Sequence, residues 1–268
     1  MTRESAPAAA PRLLADLAAL GPYFAVDVHR PGAPPRPPWQ PLGDLVSSPD
    51  ALAGRIGEVR ERLAAAAGWP PGNVEFRVAA SIAQLGLCAR LLSPALGAAA
   101  AGRALPVDIA QARWVPSLGG PFRLSLPDTI LEAGAVPGSA VSDSAVPDSA
   151  ASGRAATAGL LAGPIAQIVR AVQAMAVSPQ VLWGNVASAV NGAATMIAAA
   201  RPDLAAPAAG AAAALLGQPV LAGTYQGRPL AGFRRRNCCL IYRLSPSAPA
   251  YCGDCVLAGC PGPPADTT

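Results

Sequence analysis

The sequence predicts an α+β fold that is mainly α-helical, with a small antiparallel sheet and a C-terminal cysteine hairpin. Three observations predict it. Apolar residues recur at helical spacing in several long segments, two shorter segments alternate as strands do, and four of the six cysteines lie between positions 238 and 255. The chain has 268 residues and a hydrophobic fraction of 52%, which can fill a sizeable core.

The N-terminal part supplies two predicted helices. Residues 1–20 predict a short amphipathic helix, and the proline-rich residues 31–41 predict a connection. A second helix is expected over residues 50–67, with Ser48 or Asp50 as its N-terminal cap. Four apolar residues fall at helical spacing there: Leu52, Ile56, Val59 and Leu63.

The sheet is expected from two segments. Residues 74–80 (VEFRVAA) alternate like a strand that leads into a helix, and Pro94 is expected to break or restart that helix. Residues 109–127 predict two short strands, with the turn supplied by Gly119 and Gly120. A small sheet built from both segments follows.

One stretch in the middle of the chain predicts no packed structure. Residues 133–158 repeat Ser-Ala-Val and lack large apolar side chains, so they cannot bury enough surface to offset the entropy of ordering. We interpret them as a disordered insertion within one domain. The predicted organisation is a body over residues 1–232 and a cysteine-bearing region over 233–268.

Helical patterns resume after the insertion. They cover LLAGPIAQIVRAVQAMAVS, VLWGNVASAVNGAATMIAAA and residues 204–217. In the second helix Asn185, Ser188 and Thr195 form a polar face that meets solvent or another helix, or lines a pocket. The uncharged run between Arg170 and Arg201 is interrupted by proline and asparagine, which favours helices buried in protein over a membrane span.

Charge and termini exclude several classes of function. The net charge is +4, every basic residue is arginine, and no basic stripe with interleaved aromatics is present, so nucleic acid is not an expected partner. The N-terminus carries Glu4, two early prolines and Asp16, unlike a secretory signal. We therefore expect a cytoplasmic protein that is not integral to a membrane.

The cysteines carry the chemistry. In a reducing compartment a local group of thiols favours metal binding over disulfides, and Cys238, Cys239, Cys252 and Cys255 form such a group. A hairpin across SPSAPA would bring the two pairs together, and Gly253 would let the second pair form a tight turn. Spacing alone leaves zinc and an iron–sulfur cluster equally open. Two further cysteines stand outside the group: Cys88, a buried hydrophobe in a leucine-rich helix, and Cys260, a spare thiol.

The segments FRRRNCCLIYRL and YCGDCVL resemble the C-terminal signature of the FhuF-like ferric siderophore reductases. In that family an adjacent cysteine pair and a Cys-x-x-Cys hold a [2Fe–2S] cluster, which implies Cys238, Cys239, Cys252 and Cys255 as its ligands here. The resemblance extends over most of residues 74–257. The spacer between the pairs has twelve residues where the family usually has ten.

The resemblance implies a reductase that transfers one electron to siderophore-bound Fe(III), with hydroxamate siderophores favoured, and releases Fe(II). No nucleotide fingerprint is present, so the electron should come from a separate protein such as a ferredoxin or flavodoxin. Arg234, Arg235 and Arg236 are candidates for docking substrate or redox partner. A zinc-stabilised interaction module, an iron–sulfur redox sensor and a siderophore-biosynthesis accessory remain alternatives.

Overall fold

The structure is a computed structural model that describes residues 9–130, 157, 159–244 and 251–257. Within these residues the helices are α1 Ala9–Ala19, α2 Asp44–Ser47, α3 Pro49–Ala67, α4 Phe76–Ala100, α5 Ala166–Gln173, α6 Pro179–Ala200 and α7 Ala205–Leu216. The strands are β1 Asp27–His29, β2 Gln40–Pro41, β3 Arg113–Val115, β4 Arg123–Pro127, β5 Tyr225–Arg228 and β6 Ala231–Arg235. Of the predicted insertion, only residue 157 is described. Residues 133–156 and 158 lie outside the described residues, as do SPSAPA and Cys260.

Helix α4 is the centre of the fold, and its start corrects one prediction. It packs against α3, α6 and α7, so it is buried on nearly every side. The expected strand over 74–80 is wrong, because the helix begins at Phe76 and Val78, Ala79 and Ala80 are all buried within it. A helix surrounded by protein has no polar face, so its hydrophobic pattern loses the helical period.

Pro94 does not break α4, contrary to expectation. The helix continues from Phe76 to Ala100 with Pro94 inside it. An interior proline costs about 3 kcal/mol, whereas fully burying one leucine contributes about 1.5–3 kcal/mol. Three leucines of this helix are completely buried around the proline, namely Leu91, Leu92 and Leu96. Tertiary packing therefore outweighs the local preference.

The helix predicted over 50–67 is confirmed as α3. Its N-cap is Ser48, whose Oγ accepts a hydrogen bond from the backbone N–H of Ala51 at 3.2 Å. Ser48 is thus the cap, and Asp50 lies in the first turn, where a carboxylate stabilises the positive end of the helix dipole.

The four-stranded sheet has the order β1-β4-β3-β2. The two strands predicted in 109–127 are confirmed as the antiparallel pair β3–β4, while β1 pairs with β4 in parallel. Buried Arg90 of α4 joins this sheet to the helices, because its Nε donates to the carbonyl of Phe122 at 2.7 Å and its Nη1 to that of Tyr23 at 2.8 Å. Burial lowers the pKa of Arg90 to about 10.

A second sheet, the β5–β6 hairpin, leads directly into the cysteines. The strands are antiparallel, and the rings of Tyr225 and Phe233 stack across them with centroids 5.3 Å apart. Gly227 has φ +84°, and a Cβ placed there would lie 2.1 Å from the carbonyl oxygen of Gly232. Only glycine fits this irregular pairing.

Two helices, Phe76–Ala100 and Pro179–Ala200, are long and apolar enough to cross a membrane. In their apolar windows 78% and 61% of the residues are buried inside the protein, as in the core helices of soluble proteins. The burial of α6 agrees with the interpretation of the uncharged run as buried helix.

Candidate metal centre

The adjacent cysteines Cys238 and Cys239 follow β6 in irregular backbone. Leu240, the next residue, has φ +72° and turns the chain into a 3-10 helix over Ile241–Leu244. The hairpin expected across SPSAPA therefore has no strand on its first side. The irregular turn that the adjacent pair requires is present, because neighbouring side chains on an extended strand would point to opposite sides.

The two cysteine pairs meet, although the described residues on either side of SPSAPA form no strand. Cys239 Sγ lies 3.6 Å from Cys252 Sγ. Two thiolates on one tetrahedral ion with metal–sulfur bonds of about 2.3 Å would be about 3.8 Å apart. The backbone N–H of Cys255 donates to the carbonyl of Cys252 at 3.0 Å, which closes the Cys-x-x-Cys turn.

Backbone amides point at two of the sulfurs. The N–H of Leu240 donates to Cys238 Sγ at 3.2 Å, and that of Leu257 donates to Cys255 Sγ at 3.3 Å. Such N–H···S bonds stabilise thiolate sulfur and tune the potential of iron–sulfur centres. The donor set of four thiols with amides aimed at their sulfurs fits a [2Fe–2S] cluster.

Across the part of the chain that the structure describes, no three His, Cys, Asp or Glu side chains are gathered around one point. A mononuclear zinc site needs four donors around one ion, whereas a two-iron cluster needs two thiolates at each iron. The 3.6 Å separation of the Cys239 and Cys252 sulfurs is compatible with either centre.

The thiols differ in their affinity for protons. Hydrogen bonds from the Cys238 and Cys252 thiols, with help from the charge of Arg235, hold the pKa of Cys239 far below its usual value. Conversely, the bond to Cys239 and burial raise the pKa of both Cys238 and Cys252. Of these three thiols, Cys239 therefore gives up its proton most readily.

Burial divides the four cysteines into two kinds. Cys239 and Cys255 are 1% and 3% exposed, whereas Cys238 and Cys252 are half-buried. Tyr251, next to Cys252, is exposed. One edge of the site is therefore near the surface and the other is enclosed by protein.

The Cys-x-x-Cys turn is fastened to helix α6 through Asp254. Its carboxylate accepts hydrogen bonds from Ser188 Oγ at 2.6 Å and Asn191 Nδ2 at 3.3 Å. The Asp254 carbonyl accepts from the backbone N–H of Arg235 at 3.0 Å, which adds a link to β6. Asn191 Oδ1 also accepts from the N–H of Leu230 in the β5–β6 turn.

The adjacent pair is fastened to helix α4. Ser81 Oγ donates to the carbonyl of Cys239 at 3.0 Å, and Asn185 Nδ2 donates to Ser81 Oγ at 3.0 Å and to Gln84 Oε1 at 2.8 Å. On the polar face predicted for α6, Asn185 therefore contacts the neighbouring helix α4, whereas Ser188 contacts the Cys-x-x-Cys turn. Ser81 and Asp254 were not among the predicted site residues, and polar residues at positions 185, 188 and 191 of an apolar helix were the available signal.

The three arginines before the cysteines differ in exposure, because successive side chains along a strand point to opposite sides. Arg234 and Arg236 are exposed, whereas Arg235 is only 1% exposed. Arg235 is therefore closed off from an external molecule, contrary to the docking prediction, and docking by Arg234 and Arg236 stays a prediction. Gly253 also needs no special backbone, because its φ is not positive and a Cβ there would meet no described atom within 4 Å.

We expect Asp254→Ala to speed the loss of iron to a chelator, because Ser188 and Asn191 would lose their acceptor. Leaving buried donors without partners costs roughly 1–3 kcal/mol. The measurement is the decay of visible absorbance after a strong chelator is added to anaerobic protein. The matched control is Asp203→Ala, which removes an exposed ion pair with Arg201. Equal rates for both variants would contradict the anchoring role.

Comparison with known families supports the assignment of this segment. Residues 235–257 match the family model of the FhuF 2Fe-2S C-terminal domain. The predicted resemblance and the [2Fe–2S] cofactor are therefore confirmed for this segment, which contains all four thiols. No curated protein and no solved structure matches the chain. The resemblance noted upstream of residue 235 stays a prediction.

Proposed function

Because the chain carries an FhuF-type [2Fe–2S] domain, we propose that it is a ferric siderophore reductase. It transfers one electron to siderophore-bound Fe(III) and releases Fe(II) for iron assimilation. The observation that carries the proposal is the match over residues 235–257, together with the meeting of both cysteine pairs in the fold.

The proposed ligands are Cys238, Cys239, Cys252 and Cys255. When bound to them, the [2Fe–2S] cluster supplies one electron at a time. Siderophore oxygen donors are hard ligands that hold Fe(III) far more tightly than Fe(II), so one electron loosens the iron. No general acid or nucleophile is needed for this chemistry.

The half-buried edge at Cys238 and Cys252 supports the proposal. A siderophore that wraps its iron cannot enter a closed cavity, so the chain must bring the electron close to the surface. The enclosed edge at Cys239 and Cys255 excludes water from the other side of the site. The exposed Tyr251 ring adds an apolar surface beside the open edge.

We assign the electron donor to a separate acidic protein such as a ferredoxin or flavodoxin, and the location to the cytoplasm. Arg236 supports the donor assignment, because it is exposed and lies two residues before Cys238. Cations placed near the point where the electron enters attract an acidic donor and raise its association rate. Hydroxamate siderophores are the favoured substrates.

We expect Arg236→Glu to slow reduction by an acidic ferredoxin severalfold at low salt, because charge reversal repels the donor. Reduction by dithionite should be unchanged. The control is Arg12→Glu on α1, which lies far from the cysteines. Helix α1 packs against α4 near Gly97, whereas the carbonyl of Cys239 accepts a hydrogen bond from Ser81, at the other end of α4. Those positions are about 24 Å apart along α4 at 1.5 Å per residue. A loss that persists in high salt would contradict docking by Arg236.

The function itself is tested with anaerobically purified, dithionite-reduced protein. Mixed with a panel of ferric siderophores, it should be reoxidised while a ferrous chelator traps stoichiometric Fe(II). A colourless protein with stoichiometric zinc would overturn the proposal in favour of an interaction module. A cluster-bearing protein that releases Fe(II) from no siderophore would favour the sensor.

A further inference from the structure

Arg235 occupies a closed space between helix α6 and the cysteines. Its side chain is 1% exposed, its Nε donates to the carbonyl of Asn237 at 3.0 Å, and its Nη2 donates to that of Val181 at 3.3 Å. Gly184 leaves room for the guanidinium, since a Cβ there would lie 3.1 Å from Nη2. The helix therefore carries glycine where the arginine passes.

The charge of this guanidinium has no carboxylate partner among the described residues. Arg235 makes no salt bridge there, and its Nη1 is buried without a hydrogen-bond partner. Asp254, the carboxylate nearest in sequence, is engaged by Ser188 and Asn191. A buried cation is costly unless anions or hydrogen-bond acceptors compensate it, and Nη1 of Arg235 has no acceptor among the described residues.

The cysteine sulfurs and the Asp254 carboxylate are the negative groups around Arg235. Burial lowers the pKa of Arg235, and charge on Cys239, Cys252, Cys238 and Asp254 opposes that effect. Arg235 is also tied to the second pair through its backbone bond to Asp254. The backbone of Arg235 is thus linked to the Cys-x-x-Cys turn, and its guanidinium bonds the carbonyl of Asn237, which directly precedes the adjacent pair.

We propose that Arg235 is a positioning residue for the cluster, whose buried guanidinium offers Nη1 to a sulfur of the centre and compensates its negative charge. The inference rests on the proposed ligand set. The centre gains one negative charge when reduced, so a fixed neighbouring cation stabilises the reduced form and raises the reduction potential.

The test is the reduction potential of anaerobic holoprotein, measured by dye-mediated titration with absorbance and electron paramagnetic resonance. Arg235→Gln should lower the equilibrium constant for reduction at least tenfold, which is 59 mV for one electron. Arg235→Lys should recover part of this loss, because lysine keeps the charge without the planar fork. An unchanged potential in Arg235→Gln overturns the proposal.

Arg90→Gln is the matched control for a purely structural arginine. Arg90 is also buried and donates to backbone carbonyls, but its acceptors lie beside the four-stranded sheet and not beside the cysteines. This variant should lose stability and keep the wild-type potential. If Arg235→Gln does not load with iron, Arg235→Lys and Gly184→Ala take its place, and wild-type potentials in both overturn the proposal.

These outcomes are distinct from those of the reductase assay. A potential that depends on Arg235 in a protein that reduces no ferric siderophore would support the role of Arg235 and overturn the proposed function. Reduction of siderophores with a potential independent of Arg235 would do the reverse.

Discussion

Cys239→Ser is expected to abolish the iron–sulfur chromophore, with iron and acid-labile sulfide falling to background. Cys239 is the most enclosed of the four thiols and its sulfur lies 3.6 Å from that of Cys252. Serine offers a hard oxygen of much higher pKa in place of a soft thiolate, and its shorter bond places the donor differently. The proposed reductase activity should vanish with the chromophore.

Cys88→Ala is the control for this experiment. Cys88 is fully buried in α4, and burial raises the pKa of its thiol, so it is a structural residue. Its removal should lower the free energy of unfolding by about 1 kcal/mol, with iron content unchanged. Full iron content in Cys239→Ser, or loss of iron in Cys88→Ala, would contradict the ligand assignment.

Gly227→Ala is expected to give the second large effect, through the hairpin that precedes the cysteines. The added Cβ would lie 2.1 Å from a backbone oxygen in a conformation with φ +84°. Because backbone cannot move aside as a side chain can, strain and overpacking together should cost roughly 3 kcal/mol. At this chain length the melting temperature should fall by about 10 °C, as measured by circular dichroism, and iron content should fall as well.

Gly223→Ala separates the clash from the backbone strain. Gly223 precedes β5 and has φ +76°, but a Cβ there would meet nothing within 4 Å. Only the left-handed conformation is penalised, at roughly 1 kcal/mol. Equal loss of stability in both variants would show that the hairpin tolerates the crowded position.

Short-range patterns predicted the elements whose stabilisation is local. Helix α3 has its period and its Ser48 cap in consecutive residues, and β3 and β4 are separated by one turn. The middle of helix α4 was predicted, but its start and its continuation were not, because burial on all sides removed its period and because packing outweighs the cost of Pro94. The pairing of β1 with β4 joins residues about one hundred positions apart, which no local pattern records.

The metal-binding role of the cysteines was predictable because it depends on residue type and on spacing along the chain. Their supports were not, since Ser188 and Asn191 reach Asp254 only after α6 and the C-terminal segment have packed together. Arg235 left a readable signal. In a run of three arginines on a strand, alternation turns the middle one away from its neighbours, and Phe233 marks the inward face.

The anchors of the two cysteine pairs bear on how this segment can evolve. Each pair is held by the helical body, one through Ser81 of α4 and the other through Ser188 and Asn191 of α6. Because the body positions both pairs, the sulfurs need not depend on the length of the spacer between them. Lengthening a closed loop from ten to twelve residues costs only about 0.2 kcal/mol of chain entropy. Spacer length is therefore nearly neutral under selection, so relatives should diverge in it while they retain the helical anchors.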